Sequence, residues 1–260
     1  MSGNAREPGR STIDRLFTLL GVFDGGERTL AEIAALAGLP LTTAHRMLGA
    51  LEAWGGVERT PSGSYRIGLR LWELSTRSAA AASLRELALP MMQDLYEITH
   101  ANVQLVVRDD DTALVVERLA GLRSVPTSSE VGGRLPLHAT AVGKVLLAHG
   151  PARLLTELGQ RGLRRYTPYT LVMPGRLAAS VGSTRETGLG TAHEELTLGA
   201  ASIATAVTDA TGSVRAALGI VTHSHIALAR YESALRSAAD GVSQRLAASE
   251  ESPLPARRSG

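Results

Sequence analysis

One pattern, between Thr29 and Ile67, constrains this chain more than any other. Thr29 stands before an amphipathic run, Leu30–Ala37, with Glu32 three residues on, the spacing of a capping box. Gly38-Leu39-Pro40 stops that helix. Thr42 opens another, running through Met47, Leu48 and Leu51 to about Trp54, where Gly55-Gly56 closes it. Two short runs follow, Val57–Thr60 and Tyr65–Ile67, joined by Pro61-Ser62-Gly63-Ser64 with hairpin turn chemistry. Helix, glycine-containing turn, helix and hairpin is the order of a winged helix-turn-helix. Such a module presents short polar and basic side chains from the first turns of its second helix to base edges in the major groove. Thr42, Thr43, His45 and Arg46 occupy those turns, while Ala44, Met47, Leu48 and Leu51 face the helices behind. Arg46 has the reach for a guanine edge, and the threonines suit thymine methyls or phosphates. Arg59 and Arg66 flank the hairpin, in position for backbone phosphate.

Spacing alone fits an assembly-only helical hairpin as well as a DNA reader. Residues 1–70 hold eight basic and seven acidic side chains, and the whole chain carries +2. Any phosphate contact therefore depends on local placement, and the expected salt dependence is shallow. The basic set is 26 arginines and a single lysine, Lys144; a GC-rich genome accounts for that ratio. The chain has no cysteine, which excludes a disulfide scaffold, a thiolate metal site and a cysteine nucleophile. No run approaches the roughly 18 apolar residues of a membrane span. Met1 to Arg10 lacks the apolar core of a signal peptide, so a cytoplasmic location is expected.

The rest of the chain is organised around this module. Residues 1–10 read as a flexible arm. Ser11 or Thr12 begins a helix with apolar residues at Ile13, Leu16, Phe17, Leu19, Leu20 and Phe23, ended by Asp24-Gly25-Gly26. From Leu69 to His100 the pattern is helical, with Pro90 expected to split it in two. Strands are expected at Val103–Arg108, Ala113–Leu119, Ser202–Thr208 and Val214–Thr222, and helices at Ala141–His149, Arg153–Leu158, Pro174–Thr187 and Ile226–Ala248. The predicted division is a helix-turn-helix domain over 11–68, a linker helix over 69–82, a mixed α/β domain over 83–248 and a disordered tail over 249–260. The class is α+β.

In the second half the densest motif runs from Gly132 to Lys144. A glycine pair and a proline lead into a helix beginning near Thr140, whose free amides at Ala141, Val142 and Gly143 would favour an anionic or carbonyl group. It is not a P-loop, since no Ser or Thr follows Lys144. A capped structural helix is the plain alternative. Catalytic templates fail: G-x-S-x-G and H-E-x-x-H are absent. His193, Glu194 and Glu195 are adjacent and point apart, so the glutamates are read as caps or ion-pair partners. His223 and His225 are two residues apart with no neighbouring carboxylate assigned, too few for a metal site. No enzyme, metal or cofactor is expected.

These residues resemble the IclR family of bacterial transcriptional regulators over about Thr12 to Leu246. The N-terminal likeness lies in Leu30-Ala-Glu-Ile-Ala, Gly38-Leu39-Pro40, Thr42–Leu48 and Tyr65-Arg66-Ile67-Gly68. The C-terminal likeness lies in Leu135–Lys144, Tyr166–Thr170, Gly188, Glu194-Glu195, Gly199 and Ile203-Ala204. The resemblance implies a homodimer or tetramer that binds a near-palindromic double-stranded operator and answers to a small-molecule effector held in a GAF-like α/β domain. It implies a pocket at Leu135, at Ala141, Val142 and Gly143, and at positions matching Ala192, Ser202, Gly219 and Val221. Relatives that take small oxo-acids usually carry an acid, a cysteine and two serines at those last four positions. Here three of the four are apolar or bare, which points to an effector with apolar or aromatic surface, anchored by one carboxylate at the Ala141–Val142 amides. The helix Leu69–Ala79, continuing towards Pro90, is the expected lever between pocket and DNA reader. A sensor acting through a protein partner, with the helical domain serving assembly, is the alternative.

Overall fold

The computed structural model describes residues 11–23, 26–76, 79–121, 125 and 129–251. The expected arm over 1–10, and the part of the expected tail after Glu251, lie outside them. The chain divides into two compact units, Met1–Ala82 and Ser83–Gly260.

In the first unit, α1 (Thr12–Leu20) starts at Ser11, which with Asp14 forms a capping box. It stops at Gly21, short of the expected Asp24-Gly25-Gly26. The amides of Val22 and Phe23 reach back to Leu19 and Leu20 at 3.4 Å as the helix unwinds. α2 (Leu30–Ala37) carries the Thr29–Glu32 box: Glu32 Oε2 accepts from Thr29 N at 2.8 Å, and Thr29 Oγ1 accepts from Glu32 N at 3.3 Å. Gly38, at φ +64°, turns the chain in the left-handed conformation that glycine adopts without penalty. α3 (Leu41–Trp54) begins one residue before the expected Thr42, because Pro40 fixes the backbone entering the first turn. β1 (Val57–Arg59) and β2 (Tyr65–Ile67) pair antiparallel, and Arg28 bridges to Tyr65 as a further rung. Leu19, Ile33, Ala34, Ala37, Ala44, Met47, Leu48, Leu51, Val57 and Tyr65 form the core. α4 (Leu69–Thr76) follows the hairpin.

α5 (Ala79–Thr99) runs through Pro90 unbroken, so the split expected at that proline is corrected. Proline removes one ladder hydrogen bond, and the fully buried Ala88 and Met92 on either side hold the helix to its core.

The second unit is built on a six-stranded antiparallel sheet in the order β5-β4-β3-β8-β7-β6. Its strands are β3 (Asn102–Asp109), β4 (Thr112–Leu119), β5 (Arg134–Pro136), β6 (Leu189–His193), β7 (Ala200–Thr208) and β8 (Val214–His223). The edge strands β5 and β6 were not expected from the sequence. On one face, Leu84, Ala88, Met92 and Leu95 of α5 share a core with Leu235, Ala239 and Val242 of α9 (Glu232–Glu251). The other face is covered by α6 (Ala141–His149), α7 (Ala152–Arg161) and α8 (Pro174–Thr187). β8 is buried over seven consecutive residues because helices cover both faces. The expected helix over Ile226–Ala248 resolves into a 3-10 turn, Leu228–Tyr231, and α9, which continues through Glu251 into what was expected as tail. No helix of the described residues is long and apolar enough to cross a membrane.

Candidate functional site

The outward face of α3 follows from its inward one. Ala44 and Leu48 are fully buried, and Met47 and Leu51 are 5% exposed. Helical periodicity then turns Thr42, His45 and Arg46 to solvent with Thr43 half-buried. Arg46 makes no ion pair among the described residues. Arg59 is exposed, with its guanidinium 5.9 Å from the Tyr65 ring centre. Arg66 differs. It sits opposite Glu58 in the hairpin register and donates to Glu58 Oε2 through Nε at 3.1 Å and Nη2 at 2.9 Å. That bond and the Leu69 amide hold the Glu58 carboxyl below its usual range. Arg66 is thus paired with Glu58 within the wing, and its side chain stays 57% exposed.

In the second unit, strand register sets two adjacent rows across the sheet face beneath α6. One row joins Gln104, Gly219, Ala204 and Gly190; the next joins Asn102, Val221, Ser202 and Ala192. The first row seats α6. A Cβ on Gly190 would lie 2.5 Å from Ala141 O, and one on Gly219 2.7 Å from Val142 Cγ1. The helix therefore touches the sheet where these side chains are missing. Val221, Ser202 and Ala192 of the second row floor a pocket also lined by Gln104, Ser129, Leu135, Ala139, Thr140, Glu195, Leu196 and Ala200. The volume a water centre can reach inside is about 40 Å³.

Of the pocket residues expected from the sequence, Leu135, Ala192, Ser202 and Val221 come together here. Four others do not line it. Gly219 is filled by Val142, and Ala141 and Val142 face the glycine seat. Gly143's amide, expected to be free, donates to Thr140 Oγ1 at 3.1 Å, while that hydroxyl donates to Pro136 O at 2.9 Å. Among the described residues the amides of Ala141 and Val142 have no such acceptor. Gln104 was missed, since only strand register brings it to this face.

Behind the pocket, Lys144 donates to Glu195 Oε1 at 2.6 Å and to Thr191 O at 2.8 Å, with side-chain exposures of 1% for Lys144 and 8% for Glu195. Burial draws the Lys144 ammonium below its ordinary pKa of 10.5, and the Glu195 charge opposes that shift. The Tyr166–Thr170 segment explains itself through the same place. Thr167 Oγ1 donates to Glu194 O at 2.5 Å and Thr170 Oγ1 to Glu195 O at 2.6 Å. This fixes a backbone in which Glu194 adopts φ +53° and its carboxylate accepts from Gly199 N at 2.6 Å. Both glutamates thus act as a cap and an ion-pair partner. His193 points to solvent at the end of β6. His223 and His225 stack at 5.5 Å, and the described residues hold no cluster of three metal-ligating side chains. Among the described residues, two buried oxygens, Gln104 Oε1 and Glu195 Oε2, and Arg118 Nε have no hydrogen-bond partner.

A helix-turn-helix unit with a hairpin wing, followed by an α/β unit with a pocket, is the arrangement of a class of DNA-binding regulators. Comparison with known proteins makes this specific. The family model described as IclR helix-turn-helix domain matches residues 12–61, and that described as bacterial transcriptional regulator IclR C-terminal matches residues 76–244. The HTH-type transcriptional regulator XynR of Escherichia coli strain K12 is 30% identical over 215 residues, covering 81% of this chain and 85% of that protein. The transcriptional repressor IclR of the same strain is 31% identical over 188 residues, covering 71% and 69%. A crystal structure of an IclR homolog from Microbacterium hydrocarbonoxydans, complexed with 4-hydroxybenzoate, is 34% identical with a TM-score of 0.85, covering 92% of this chain and all of that one. The chain belongs to the IclR family of bacterial transcriptional regulators, and it is not an enzyme.

Proposed function

We propose that this protein is a cytoplasmic, effector-controlled transcriptional regulator whose α3 reads an operator through Thr42, Thr43, His45 and Arg46. Arg59 adds a phosphate contact from the wing. Two copies related by a two-fold axis read half-sites about 34 Å apart, or a multiple, on a near-palindromic operator. The pocket on the second row of the sheet holds an apolar or aromatic acid. What carries this reading is the floor formed by Ala192, Ser202 and Val221, which offers hydrocarbon and one hydroxyl where a small oxo-acid needs several polar anchors. The 4-hydroxybenzoate complex of the Microbacterium homolog supports it. The ligand's carboxylate is assigned to the Ala139–Thr140 side of the pocket, at the start of α6, where the helix dipole favours negative charge. Occupancy shifts DNA affinity only through differential binding to two arrangements of the assembled protein.

The test has two arms. Gel shifts with DNA flanking the protein's own gene, with and without benzoate-type acids, are expected to give a specific complex whose affinity changes with ligand. Absence of any DNA complex would sink the operator reading and leave the protein-partner sensor. Calorimetry is expected to detect aromatic acids; tight glyoxylate or pyruvate binding with no response to aromatic acids would overturn the pocket assignment.

A further inference from the structure

Among the described residues, two side chains that line the pocket carry a buried acceptor without a donor. Gln104 and Glu195 are 4% and 7% exposed, both line the pocket, and Gln104 Oε1 and Glu195 Oε2 have no partner. Two neighbouring donors are already committed. The Thr140 hydroxyl donates to Pro136 O, and the Lys144 ammonium faces Glu195 Oε1 and Thr191 O. Carboxylate and amide oxygens only accept, so a ligand that completes this wall must donate. Lys144 already balances the Glu195 charge, so the wall favours a neutral O–H or N–H over a second cation.

We infer that the effector carries a hydroxyl or amino group whose hydrogen lies on Glu195 Oε2, and that Gln104 Oε1 takes a second hydrogen where the ligand offers one. This rests on the pocket being the effector site, and it narrows the ligand class to hydroxylated or aminated apolar acids. A site built around buried acceptors rejects the analogue that lacks the donor, because binding that analogue leaves the acceptors sealed and unpaired.

Isothermal titration calorimetry on the full chain tests this with 4-hydroxybenzoate, 4-aminobenzoate and 3,4-dihydroxybenzoate against benzoate and 4-fluorobenzoate, whose fluorine matches a hydroxyl in size. The donor-bearing acids are expected to bind about 10- to 100-fold more tightly than the two without. Gln104→Leu is expected to narrow the affinity gap between 3,4-dihydroxybenzoate and benzoate, a selective change that a general loss of structure does not produce. The wild-type series stands even if that variant does not fold. Equal affinity across all five acids overturns the donor inference and leaves the acid pocket in place. Binding of none overturns the acid-pocket reading and this inference with it.

Discussion

Thr42, His45 and Arg46 owe their shared outward face to one helix and its period, with Ala44, Met47 and Leu48 interleaved as anchors. Ala192, Ser202, Val221 and Asn102 owe their adjacency to the register of four strands, and the sequence scatters them over more than a hundred positions. The first arrangement displays side chains on a surface whose support is local. The second encloses a space, and each wall is supported by another. Substitutions at the display site should therefore alter recognition with little effect on stability, and substitutions around the enclosure should alter both.

The hardest test of that contrast is Lys144→Met. It leaves Glu195 as an uncompensated buried charge, and about 3–5 kcal/mol of stability is expected to go. Chemical denaturation followed separately for the two units should place the loss in the second; a loss of under ~1 kcal/mol would mean the pair is wetter than its burial indicates. Arg46→Ala is the counterpart. It is expected to reduce the free-energy gap between operator and random DNA by about 1–3 kcal/mol while the melting curve stays put. Competition gel shifts measure the gap, and an unchanged ratio would remove Arg46 from base reading. Next comes one change made in both units. Gly190→Ala forces a methyl against Ala141 O and is expected to destabilise by about 1–3 kcal/mol. Gly49→Ala, on the exposed face of α3 with open space around it, is expected to stabilise by about 0.5–1 kcal/mol. Equal signs for the two would break the distinction between display and enclosure. The smallest effect is acid sensitivity of the first unit. Hydrogen bonds from Thr29 hold Glu32 below 4.5, and the Arg66 and Leu69 bonds do the same for Glu58. A folded value below the unfolded one gives stability that is present above pH 4.5 and lost as the pH falls through the folded value. Thermal melts between pH 6 and pH 3 should show that decline, and Thr29→Ala, which keeps the backbone donor and loses the hydroxyl, should flatten it in part.

Legibility followed the same divide. The Thr29–Glu32 box, the Gly38 turn and the hairpin chemistry each act over three or four residues, so their order could be read directly. Leu135, Ala192, Ser202 and Val221 were reached only through family likeness, and that likeness also brought in Gly219, whose neighbour is Val142. No local pattern pairs Gln104 with a glycine on β8. β5 escaped notice because three residues at a sheet edge are too short to show alternation, and β6 because Gly190 interrupts it. Arg66 shows what register adds: Glu58 lies eight residues earlier, yet it is the direct cross-strand neighbour. Pro90 misled for the opposite reason, since the buried side chains around it outweighed a local helix-breaking signal.

Lys144 also gives the molecule a chemical handle. The 260 residues hold one lysine, and its side chain is 1% exposed. An amine-directed acylating reagent therefore has one side-chain target, and it can reach that target only when the α6–β6 region opens. The rate of acylation at Lys144 becomes a clock for that opening, read by mass spectrometry without any engineered label. A ligand that fills the neighbouring pocket should slow the clock, whether or not it changes DNA binding.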